Sequence, residues 1–225
     1  VPSSTIAREA DSVLPTRAGP EIGVASTKAF TAQLTVLLCF AVALARAKGQ
    51  IDEARAEAIH AEIQALPSLV GKALGLFDAI RPVAHQLSQA KSALYLGRGA
   101  LYPLAMEGAL KLKELSYIHA EGFASGEMKH GPIALIEEDL PVVALLAADA
   151  VMAKASSNLR EASARGGKII LLSEARAAAE VDYASAVITV PDVDPLLAPI
   201  LLAIPAQILE TPFGQLYRIV CHYGR

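Results

Sequence analysis

The second half of the chain carries four short apolar runs: SALYL (92–96), PVVALL (141–146), KIILL (168–172) and AVITV (186–190). Between them lie stretches with helical periodicity, at about 101–117 and 150–165, with another from about 195. Brief runs rich in Val, Ile and Leu, apolar at successive positions, are what a strand covered on both faces requires. Alternated with helices, they predict an α/β layer in which a parallel, doubly wound sheet is flanked by helices through right-handed crossovers.

The first half differs in kind. Residues 1–25 are loop-like, punctuated by Pro2, Pro15, Gly19, Pro20 and Gly23. From Thr27 to Lys48 the apolar positions Phe30, Leu34, Leu37, Leu38, Ala41 and Leu44 recur every three or four residues. They predict a long helix with Gly49 as its stop. Residues 51–65 predict a second, more polar helix ended by Pro67, and 68–89 a third. The expected organisation is a helical segment over 1–90, the α/β layer over 91–209, and an atypical tail over 210–225.

Composition narrows the function. With 53% apolar residues the chain can bury a substantial core and is not disordered. Its 23 acidic residues outnumber 20 basic ones, so no nucleic-acid partner is expected from bulk charge. Two cysteines, Cys39 and Cys221, do not make a disulfide framework and suit a reducing, cytoplasmic setting. The longest uninterrupted apolar stretch, Leu34–Ala45, falls short of the roughly 20 residues of a spanning helix. Pro195–Leu209 is broken by three prolines. Both are expected to be buried helices, Cys39 included, and no membrane partner is expected. The start, VPSSTIAREAD, has neither the basic nor the apolar region of a secretion signal.

The densest chemistry lies in 107–132, EGALKLKELSYIHAEGFASGEMKHGP. At about 100° per residue, Glu107, Lys111 and Glu114 share one helical face, with Ile118 continuing it. Two readings stay open: a solvated Glu–Lys–Glu ladder, or a proton-transfer base, Glu114, beside an ammonium, Lys111, that tunes it or meets substrate oxygen. His130, in Lys129-His130-Gly131-Pro132, is placed in a loop where it either titrates against a ligand or merely caps and hydrates. His60 and His119 have weaker claims. Gly23-Val24-Ala25-Ser26-Thr27-Lys28 leads into the first long helix. Ser26 is its expected N-cap, and the same turn offers N–H groups and a helix dipole that suit a sugar phosphate. Gly97-Arg98-Gly99 follows a strand but lacks the third glycine of a dinucleotide fingerprint. No spacing suggests a metal site, and no cofactor is expected.

Two segments, AGPEIGVASTKAFTAQLTVLL (18–38) and LYLGRGALYPLAMEGALKLKELSYIHAEGFASGEMKHGPIALIEEDLPVVAL (94–145), resemble the C-terminal sugar-isomerase (SIS) half of the glucosamine-6-phosphate synthase family. The resemblance covers roughly residues 1–209. It implies an SIS-type sheet over 91–209, preceded by the end of a first SIS subdomain over 1–90. It implies the aminotransferase (isomerising) reaction, in which fructose 6-phosphate and glutamine give glucosamine 6-phosphate and glutamate. Along the matched motifs it assigns Glu114 to proton transfer between C1 and C2, Lys111 to assisting it, and His130 to ring opening across a homodimer. Val24 and Ser26 line the sugar-phosphate pocket. The chain departs from the family in having no glutaminase domain, no Ser-x-Ser-Gly-x-Thr phosphate loop and no Schiff-base lysine tail, the match failing after about Leu209. These departures imply an impaired fragment. Two further readings remain: a sugar-phosphate deaminase or isomerase of SIS type, and a non-catalytic module that binds sugar phosphate.

Overall fold

The computed structural model describes residues 3–210 of the 225. The tail expected from 210 onward therefore lies, beyond its first residue, outside the described residues, as does Cys221. The elements, in chain order, are α1 (Thr5–Glu9), α2 (Lys28–Ala47), α3 (Glu53–Leu74), α4 (Phe77–Leu87), β1 (Ser92–Gly97), α5 (Leu101–Ser116), β2 (His119–Ala124), β3 (Pro141–Leu146), α6 (Met152–Ala164), β4 (Lys168–Glu174), α7 (Ala175–Ala178), β5 (Ala186–Val190) and α8 (Ala198–Glu210). Two 3₁₀ turns, Ser125–His130 and Pro132–Leu135, join β2 to β3.

The five strands form one sheet, every pairing parallel, in the order β2-β1-β3-β4-β5. Side-chain alternation divides the core into two layers. Ala93, Tyr95, Val143, Leu145, Ile170 and Leu172 face α4, α5 and α8. Leu94, Leu96, Val142, Ala144, Ile169 and Leu171 face α6 and α7. This is the doubly wound sheet that the four apolar runs predict. Strand β2 is the addition. HAEGFA has no apolar alternation, and it forms an edge strand because Gly122 lets it close on α5: a Cβ there would lie 2.6 Å from Met106 Cα.

Three expectations for the helices are corrected. Pro67 does not end a helix. It lies inside α3, whose buried Ile59, Leu66 and Ala73 hold the helix against its neighbours through the proline, and packing outweighs one lost backbone bond. Pro195–Leu209 does become a buried helix, α8, in which every residue from Ala198 to Glu210 except the half-buried Pro199 is buried. The other, α2, is not buried: only Thr31 is. Leu34, Leu38 and Val42 pack toward α3 and α8, while Leu37, Phe40, Leu44 and Cys39 are exposed. By length and composition alone the 20-residue α2 could cross a membrane; the uninterrupted apolar stretch within it is the shorter Leu34–Ala45.

Charged side chains tie the helical segment to the sheet. Asp194, just beyond β5, pairs with Arg55 of α3 at 2.5 Å, and its N–H donates to Glu62 at 2.7 Å. Glu174, closing β4 and fully buried, accepts from the N–H groups of Ala148 and Val193 at 2.7 and 3.0 Å. One carboxylate thereby fixes the segments that follow β3 and β5.

Candidate functional site

Helix α5 leaves the carboxyl end of β1 and returns to the amino end of the sheet, where β2 begins. Its last three turns bear the charged ladder, and the ladder is not solvated. Lys111 is 6% exposed. Its Nζ lies 2.7 Å from Glu114 Oε2 and 3.5 Å from Glu107 Oε1. Burial pulls the ammonium's pKa down, but the hydrogen bond to Glu114 and the charges of Glu107 and Glu114 together raise it above the ordinary value. Lys111 is a fixed cation between two carboxylates, and Glu114, the more open of them, remains accessible at the helix end. Tyr117 closes the helix in the left-handed conformation, φ 61°, and is almost fully exposed.

Behind this ladder lies a third carboxyl group. Glu210, at the end of α8, is 2% exposed, and neither carboxyl oxygen has a hydrogen-bond partner among the described residues. The Tyr95 hydroxyl, also buried, has none either. Gly108 makes the room: a Cβ there would stand 2.6 Å from Glu210 Oε1 and 2.7 Å from Tyr95 Cε1. Burial holds the Glu210 carboxyl well above the usual carboxylate range; the charge of Glu107 adds to this and that of Lys111 opposes it. The sequence offered no signal for this approach, because residues 108 and 210 meet only through the packing of α5 on α8.

The turn at 23–28 reaches the same end of the sheet. Its cap differs from expectation. Thr27, not Ser26, is the N-cap of α2, and its side chain makes no capping bond to the helix backbone. Glu21 caps instead: Oε2 accepts from Thr27 N at 3.3 Å, Ala29 N at 3.1 Å and Ser26 Oγ at 3.4 Å, and Oε1 from Thr27 Oγ1 at 3.2 Å. A carboxylate reaches two backbone donors at once, which Ser26 could not. Val24 stands out at 86% exposed, and Ser26 is half-buried. The buried Gln207 of α8 donates to Thr27 O at 3.3 Å. Gln207 and Glu210 are three residues apart and share one face of α8. That face brings the turn bearing Val24 and Ser26 to the neighbourhood of Lys111.

His130 is placed elsewhere. It follows β2 at the carboxyl end of the sheet, a strand length of about 20 Å from the end bearing Glu114. It is exposed, with Nδ1 2.8 Å from Glu127 Oε2. One chain therefore does not unite His130 with Lys111 and Glu114. His60 bonds Gln64, and His119 approaches Glu121 at 3.5 Å, both on the surface. Cys39 is exposed rather than packed. Among the described residues no group of three His, Cys, Asp or Glu side chains could hold a metal ion.

The SIS domain family matches residues 1–43 and 86–210, so α2 as far as residue 43 lies within a recognised domain fold. The glutamine–fructose-6-phosphate aminotransferase (isomerizing) of Zymomonas mobilis is 53% identical over 210 residues, covering 93% of this chain and 35% of that protein. Its counterpart from Brucella abortus is 52% identical over 211 residues, with the same coverage. The chain thus spans about a third of the length of the curated relatives it matches. Among solved structures, the C-terminal domain of glucosamine-fructose-6-phosphate aminotransferase from Francisella tularensis superposes with a TM-score of 0.90 at 40% identity, over all of this chain and 62% of that one. The glucosamine-6-phosphate deaminase of Thermotoga maritima, at 20% identity and a TM-score of 0.63 over 93% of this chain and 57% of that one, shares the fold.

Proposed function

The chain belongs to the SIS domain family, and from that premise we propose that it carries the proton-transfer part of a sugar-phosphate isomerase site within a longer glucosamine-6-phosphate synthase. The observation that carries this is the buried Lys111 ammonium 2.7 Å from Glu114 Oε2. Converting a ketose phosphate to an aldose derivative requires a base to move a proton between C1 and C2. It also requires positive charge beside the oxygen that becomes an enediolate. Glu114 is the base. Lys111 holds the Glu114 carboxylate in place through their ion pair and offers its charge to the developing oxyanion. Val24 and Ser26 border the sugar phosphate, fructose 6-phosphate in one direction and glucosamine 6-phosphate in the other.

His130 opens the sugar ring in this reading. Because it lies at the far end of the sheet from Glu114 in its own chain, a second copy supplies it, which makes the working unit a homodimer. Ammonia comes from glutamine hydrolysis by residues of the longer protein outside this chain, in the cytoplasm. The 225 residues alone should release no glutamate from glutamine and should isomerise poorly. Binding is the cleaner test. Millimolar fructose 6-phosphate or glucosamine 6-phosphate should raise the Tm of the chain saturably, and Lys111→Met should abolish the shift. Equal shifts with inorganic phosphate, or none with either sugar phosphate, would remove the reading.

A further inference from the structure

The amino end of α2 already holds an anion. Helix amino termini attract negative charge because their first N–H groups are unpaired and the helix dipole points its positive end there. The first turn of α2 contains no acidic residue, and its N-cap Thr27 makes no side-chain bond to the helix backbone. The charge comes from Glu21, six residues before Thr27, whose carboxylate takes Thr27 N, Ala29 N, Thr27 Oγ1 and, at the longest distance, Ser26 Oγ. The Thr27 carbonyl, in turn, is held by Gln207 and by Thr31 N at 3.2 Å. The turn is thus clamped from two sides, with its backbone donors at 27 and 29 committed to Glu21.

We infer that Glu21 is the resident anion of the α2 amino end, a positioning residue that shapes the Gly23–Lys28 turn and keeps a ligand's phosphate off that helix end. A phosphate there would have to share its donors with a carboxylate and repel it. Besides its remaining N–H groups, the turn offers a ligand carbonyl oxygen, hydroxyl and the exposed Val24 side chain. The sugar portion of a sugar phosphate meets these groups, and its phosphate lies elsewhere. This deepens the reading above and rests on it only for the identity of the ligand; the role of Glu21 stands on the four contacts.

Chemical rescue tests it on the full 225-residue chain. Glu21→Ala leaves a space the size of a small carboxylate beside unpaired N–H groups. Its Tm should fall by about 2–4 °C, the scale of a lost helix cap, and formate should restore at least half of that loss saturably. Inorganic phosphate should likewise stabilise Glu21→Ala more than wild type. Glu21→Gln, which fills the space, should respond to either anion no more than wild type does, and that response sets the background of general salt effects. If Glu21→Ala is recovered only unfolded, formate should return its native helix signal on refolding. An unchanged Tm in Glu21→Ala, equal anion responses in all three proteins, or no recovery with formate would overturn the proposal. If formate rescues while fructose 6-phosphate leaves wild type unmoved, the role of Glu21 stands and the sugar-phosphate reading falls.

Discussion

The side-chain amide of Gln207 donates to the main-chain carbonyl of Thr27 at 3.3 Å, closing a separation of 180 residues. One helical turn further along α8, Glu210 lies against Gly108, flanked by Glu107 and Lys111. Helix α8 is therefore the common wall between the turn that begins α2 and the charged face of α5. It is buried from Ile200 to Glu210, so neither side can shift far without the other.

Lys111→Met should destabilise the chain by about 1–3 kcal/mol, the range for removing one partner of a largely buried charge pair. The loss arises because Glu107 and Glu114 are left facing each other without the ammonium. Urea unfolding with an unchanged m-value checks it, and Lys113→Met, on a different face of the same helix, should cost less than 0.5 kcal/mol.

Gly108→Ala should cost about 1–3 kcal/mol by overpacking. The added methyl meets the Tyr95 ring, which is fully buried in the core, as well as the Glu210 carboxyl. Pairing it with Glu210→Ala should recover only part of the loss in a double-mutant cycle, because Tyr95 remains.

Stability should fall as pH rises through the range that Glu210 governs. Its folded-state pKa is raised, first by burial and then by Glu107, against the opposing charge of Lys111. The unfolded carboxyl titrates near about 4.3. Above that pH the unfolded chain has given up a proton that the folded chain keeps, so the stability contributed by the neutral carboxyl is full below that value and declines above it. The slope approaches about 1.4 kcal/mol per pH unit until the folded group itself ionises. Glu210→Gln removes this dependence and should be more stable than wild type at neutral pH, with the two converging in acid. Urea melts at pH 5 and pH 8 give the comparison. A constant difference between the two proteins would contradict it.

The exposed stripe Leu37, Phe40 and Leu44 on α2 should limit solubility. Phe40→Glu should raise the concentration at which the chain stays in the supernatant after centrifugation, with little change in Tm, because the residue is half exposed and the buried side of α2 is untouched.

The sheet was legible because its strands are buried on both faces and announce themselves as apolar runs, as KIILL does. The edge strand HAEGFA was not, since its pairing depends on the close approach of Gly122 to Met106, which no local pattern encodes. The ladder Glu107–Lys111–Glu114 could be read from helical spacing, but whether it was solvated could not: that depends on α8 covering Lys111. Ser26 was a reasonable cap by residue type, yet a longer carboxylate from Glu21 reached the same donors. Pro67 looked like a stop because propensity is local, whereas the packing of Ile59, Leu66 and Ala73 is not. Glu210 and Gln207 carried no signal at all, since their significance lies in contacts with residues over 100 positions away.

The most direct test of Glu114 as the proton-transfer base is hydrogen exchange at C1 of fructose 6-phosphate in D₂O, followed by proton NMR with the full chain. The account predicts slow exchange above the buffer rate for wild type and its loss in Glu114→Gln, whose amide keeps the shape and cannot take the proton. Exchange no faster than buffer, or exchange that survives Glu114→Gln, would contradict it.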